Sequence, residues 1–85
     1  MDLFVTTEQL EALRGAKHLP DVLERVLSGA RSGDDGYVLT LTYEEATALN
    51  ELCAWNVHTD ATGAVTPSSR VFEDIVTAIM RHPEY

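Results

Sequence analysis

The stretch CAWNVHTD, Cys53 to Asp60, sets a thiol, an indole, a carboxamide, an imidazole and a carboxylate within eight residues. Nucleophilic chemistry there would need the thiolate of Cys53 with His58 as its base. Cys53, however, shares a helical face with Ala46, Leu49 and Leu52, the place of a small buried hydrophobe, where burial raises a thiol pKa. His58 follows five positions later, past the i+4 spacing that brings side chains together on a helix. A Cys53–His58 dyad would require the chain to bend back sharply between them.

Metal ligation finds no better pattern. Zinc takes three or four ligands, and the chain has neither Cys-x-x-Cys nor His-x-x-x-His; His18 and His82 stand far from His58-x-Asp60. Asp34-Asp35-Gly36 lacks the alternating oxygens and distal glutamate of a calcium loop and reads as a turn. The carboxylate pairs Glu44-Glu45 and Glu73-Asp74 sit on helices, where neighbours point roughly 100° apart, so neither pair converges on one atom. No glycine-rich phosphate cradle and no GxSxG elbow occurs, and Thr66-Pro67-Ser68-Ser69-Arg70 is an ordinary helix start. No catalytic residue, cofactor or metal is expected, and the chain is not expected to be an enzyme.

What remains is recognition. Trp55 lies on the flank of the apolar stripe, near Ala48 and Leu52. The lone tryptophan of a small domain is expected in its core. Were it exposed, Trp55 beside Asn56, His58 and Asp60 would form an aromatic anchor with a polar, acidic rim, as binding hot spots do. Tyr43 and Tyr37 would extend that patch. The candidate partner-binding residues are Tyr43, Glu44, Glu51, Trp55, His58, Asp60 and Glu73.

The elements that must hold these residues follow from local patterns. Thr42-Tyr43-Glu44-Glu45 has the spacing of a capping box, and Thr6-Thr7-Glu8-Gln9 repeats it with glutamine in the return role. Leu3-Phe4-Val5 and Tyr37 to Leu41 have the β-branched and aromatic content of strands. Ser32 to Gly36 reads as a polar turn. Leu19, Val22, Leu23, Val26, Leu27 and Ala30 form one helical stripe; Phe72, Ile75, Val76, Ile79 and Met80 form another between Pro67 and Pro83. LFVTTEQLEALR echoes LTLTYEEATALN, and VLERVLSGA aligns with VFEDIVTAI. The expected fold is therefore α+β and mainly helical, about four helices on a short two-stranded antiparallel sheet. It reads as strand–helix–helix twice, a likeness that any two capped amphipathic helices can imitate. An open strand edge would favour dimerisation.

At 85 residues the chain is expected to be one small globular domain, residues 1–85, with a single modest core. An apolar fraction of 45% argues against disorder. No basic, apolar leader opens the chain and no run approaches the length of a membrane span. The lone cysteine fits a reducing compartment, so a cytoplasmic location is expected. Charge is uneven: residues 1–31 carry five acids and four bases, a net −1, whereas residues 32–85 carry nine acids and two bases, a net −7. Such a surface repels nucleic-acid phosphates and anionic lipid, and it steers a basic protein toward the second half. The leading expectation is a small acidic cytoplasmic interaction module of regulator, immunity or inhibitor type that docks a basic protein. The alternatives are a homo-oligomeric structural or accessory subunit, and a small-molecule or peptide binder with a pocket between the halves.

Overall fold

Two threonines start two helices by the same means. Thr6 Oγ1 accepts from the Gln9 N–H at 3.1 Å while Gln9 Oε1 accepts from the Thr6 N–H at 2.9 Å. Thr42 Oγ1 accepts from the Glu45 N–H at 3.1 Å, and the Glu45 carboxylate accepts from the Thr42 N–H at 2.8 Å. These boxes open helices α1 (Thr7–Arg14) and α3 (Tyr43–Trp55) in a computed structural model that describes all 85 residues. Prolines mark the other starts. Helix α2 (Asp21–Ser28) begins behind Pro20, and α4 (Pro67–Met80) carries Pro67 in its first turn, where a missing N–H costs nothing.

Three strands, β1 (Asp2–Val5), β2 (Arg31–Ser32) and β3 (Tyr37–Thr40), form an antiparallel sheet in the order β1-β3-β2. The expected two-stranded sheet is thus corrected to three. The sequence pattern puts Ser32 in the turn; instead Arg31 and Ser32 pair with Val38 and Tyr37, and the turn closes through the Gly33 N–H on the Gly36 carbonyl at 2.7 Å. A two-residue polar strand has no alternation to betray it. Gly36 is buried at this corner, and a Cβ there would collide with the Val5 carbonyl oxygen.

The sheet is two-faced. Leu3, Val5 and Leu39 point into the core, which Leu10, Leu13, Leu23, Leu27, Leu49, Ile75 and Ile79 fill from the four helices. The other face meets solvent, as one-sided antiparallel sheets do. Phe4 lies opposite Val38 there, and Arg31 bonds Thr40, whose hydroxyl in turn donates to Asp2. On the outer edge of β1 the Asp2 carbonyl accepts from His82 Nε2 at 2.8 Å, which occupies part of the open edge.

The fold is α+β with about half of its residues helical. Leu3 pairs with Leu39, its counterpart in the sequence echo, and both capping boxes form. Beyond that the halves diverge. The strand β2 has no counterpart strand in the second half, and α4 runs 14 residues against eight for α2, so a duplication is not shown. Helix α4 returns antiparallel along α3: Asn56 meets Ser69, Asn50 meets Met80, and Thr47 meets Tyr85. No helix is long and apolar enough to cross a membrane.

Candidate functional site

Helix α3 presents three faces. Ala46, Leu49, Leu52 and Cys53 are buried. Tyr43, Thr47 and Asn50 follow at i, i+4 and i+7 along the side that meets α4 and the C-terminal segment. Glu44, Ala48, Glu51 and Trp55, at i, i+4, i+7 and i+11, make a third stripe, of which Ala48, Glu51 and Trp55 face the turn between α1 and α2.

Trp55 is 76% exposed, which corrects the expectation that it enters the core. The inner face of α3 is already complete with leucines and Cys53, and the next residue inward is Asn56, buried to 8% exposure. Asn56 was expected on the rim; it is a structural clasp instead. Its Nδ2 donates to the Leu52 carbonyl at 2.9 Å and to the Lys17 carbonyl at 3.3 Å, while its Oδ1 accepts from the Lys17 N–H at 3.4 Å. One side chain thereby ends α3 and ties the α1–α2 turn to it. The next residue in that turn, His18, adopts φ 64°, the left-handed region that few non-glycine residues enter.

The clasp creates a groove. His18, Pro20, Ala48, Glu51, Leu52 and Trp55 line a depression of about 360 Å³ between the turn and α3. It lies between the first and second halves of the chain but opens to solvent, and its base is the apolar surface of Ala48 and Leu52. Glu51 stands four residues before Trp55, so their side chains are neighbours. The chain has two ion pairs, Met1 amine–Glu84 at 3.8 Å and Arg31–Asp2 at 3.7 Å; neither involves Glu44 or Glu51.

The other candidates are scattered. Tyr43 is 62% exposed but lies roughly 18 Å along α3 from Trp55, and its ring stacks on Tyr85 with centroids 5.1 Å apart. Tyr37 is half-buried against the core, so it does not extend the Trp55 patch as expected. Glu73 is exposed on α4, on the side that carries Met80. His58 is exposed just beyond Trp55, and the two border a second shallow depression with Ala54 and Val57. The His58 backbone is fixed by its N–H on Ser69 Oγ at 2.8 Å and its carbonyl under the Thr66 N–H at 3.0 Å.

Asp60 serves its own turn. Its Oδ1 accepts from the Thr62 hydroxyl at 2.6 Å, the Thr62 N–H at 2.8 Å and the Ala64 N–H at 3.2 Å. The Thr62 hydroxyl first, then the backbone N–H groups, hold this carboxyl below the usual aspartate range. Cys53 is enclosed, and burial pushes its thiol up to about 12, so it stays protonated at neutral pH. His58 is exposed while Cys53 is enclosed, and the two share no surface. No three His, Cys, Asp or Glu side chains gather in a metal-holding cluster.

The sequence pattern set Asn56 on the rim rather than in a clasp, and it gave no part in the site to Ser69 or to the His18–Pro20 wall. The signal for the clasp was weak: an Asn after a long helix is a common C-cap, but its second partner is 39 residues away. No protein-family model, characterised protein or solved structure matches this chain.

Proposed function

We propose that this protein is a small acidic interaction module, of regulator, immunity or inhibitor type, that docks a basic protein partner on the outer stripe of α3 and performs no catalysis. One observation carries the reading: the sole tryptophan stands 76% exposed on the same helix face as two carboxylates that pair with no cation of the chain. An aromatic at the centre of an interface supplies buried area, and surrounding charge supplies encounter rate and orientation. The net charge of −8 extends that steering beyond the stripe.

The test is copurification of the tagged protein from its host's lysate at low and high salt, with Glu44→Lys/Glu51→Lys alongside. A basic protein in fixed stoichiometry, retained at low salt, shed at high salt and lost with the double variant, is the expected result. Equal association rates for wild type and variant at low salt would overturn the electrostatic docking. Recovery of the protein alone as a defined dimer, dispersed by Trp55→Ala, would transfer the function to a self-assembling accessory subunit.

A further inference from the structure

Resting on that interaction reading, we propose that the groove beside Trp55 takes one arginine side chain of the basic partner, its guanidinium stacked on the indole and forked onto the Glu51 carboxylate. The groove offers each part of an arginine a matching surface. Ala48 and Leu52 give the methylene stem an apolar base, and the Pro20 ring borders it. The indole presents the electron-rich face that attracts a cation, and tryptophan is the best ring for it. Trp55 is 76% exposed and stacks on no ring of its own chain. Glu51, one helical turn before Trp55, supplies an acceptor with no internal cation to compete.

Arginine fits better than lysine for geometric reasons. A planar guanidinium lies flat on a ring while its N–H edge meets a carboxylate in two parallel bonds, and it sheds water more readily than an ammonium. The volume of about 360 Å³, open on one side, suits a side chain delivered by a partner rather than an enclosed metabolite. The far wall is set in advance. Asn56 holds Lys17 by both backbone groups, which places His18 and Pro20 opposite Trp55 before any ligand arrives. A wall already in place reduces the ordering cost of binding.

The single tryptophan makes the groove directly readable, because every indole signal comes from residue 55. The probe is a blocked Gly-Arg-Gly peptide, compared with the same peptide carrying lysine or citrulline, the latter matching arginine in shape without its charge. Two-dimensional NMR should show saturable shifts of the Trp55 indole N–H and of the Glu51 and His18 amides with the arginine peptide. Affinity should fall about tenfold with citrulline and less with lysine. Glu51→Gln should weaken arginine-peptide binding about threefold and Trp55→Leu about fivefold, with amide shifts elsewhere unchanged. Equal binding of citrulline would overturn the proposal, as would no indole shift with peptide on the order of 10 mM, above the millimolar range expected for one side chain. Shifts of the indole on dilution of the protein alone would assign the groove to a second copy and also overturn it. If the peptide fails while a salt-sensitive basic partner is still lost with Glu44→Lys/Glu51→Lys, the docking reading stands and the arginine pocket falls. If the peptide binds and no such partner exists, the pocket stands and the docking reading falls.

Discussion

The two ends of α3 each expose an aromatic ring, Tyr43 at 62% and Trp55 at 76%, and the resemblance stops there. Tyr43 is stacked on Tyr85, whose hydroxyl meets Thr47 Oγ1 at 3.1 Å, so its ring face already serves the fold. Trp55 has no such partner and borders an open groove. Exposure alone does not separate a structural aromatic from a recognition aromatic. On the proposed docking, the difference lies in whether the ring already stacks on another ring of the chain, as Tyr43 does and Trp55 does not. The first end should therefore report in stability and the second in binding.

The largest expected effect comes from removing what builds the Trp55 end. Asn56→Ala leaves the Lys17 backbone N–H and carbonyl unpartnered in a half-buried site, a loss of about 2–3 kcal/mol in urea unfolding. A loss inside experimental error would mean the turn holds itself and the groove wall is not preset by the clasp. Next comes the inner face of the same helix. Because burial raises the Cys53 thiol from 9.0 to about 12, folded protein keeps its proton while unfolded chain releases it. The stabilisation is complete below pH 9 and is lost as pH rises from about 9 toward about 12, on the order of 1 kcal/mol per pH unit. Cys53→Ala should flatten that alkaline slope in unfolding experiments, whatever its cost at neutral pH; an unchanged slope would show the thiol accessible.

The direct comparison is smaller. Tyr43→Ala should lose about 1 kcal/mol and couple to Tyr85→Ala in a double-mutant cycle. Trp55→Ala should change stability by less than about 0.5 kcal/mol while abolishing the salt-sensitive partner complex. Equal stability losses at both ends would erase the distinction. The smallest effect is expected in the Asp60 turn. Its carboxyl titrates below the ordinary aspartate range when folded, so the ionised form stabilises the turn fully above that range and ceases to as pH falls through the folded value. Hydrogen-exchange protection of the Thr62 and Ala64 amides should fall on acidification before the Tyr43 end responds. Simultaneous loss at both would show that the turn does not titrate separately.

Much of the scaffold was legible because it is local. The threonine and its return residue in each capping box lie three positions apart, and both boxes form as the spacing predicts. The place of Cys53 followed from helical period alone. What escaped was non-local or too short to have a period. Strand β2 exists because β3 offers it an edge, and Asn56 is buried because Lys17 lies across from it. Tyr43 was expected to extend the Trp55 patch although it opens the helix that Trp55 closes. A helix of 13 residues instead separates them by most of its length and about a third of a turn.

The sequence by itself determined the charge of −8, the starts of the helices and many of the leucines and isoleucines that face inward, since caps, prolines and 3.6-residue periodicity act within a few positions. Only the tertiary structure decided that the single tryptophan stays outside, that an asparagine takes the inward place after it, and that the α1–α2 turn becomes the opposite wall of a groove. Those outcomes depend on which surfaces remain uncovered once the core is full, and that is settled by packing between segments some 40 residues apart rather than by any local preference.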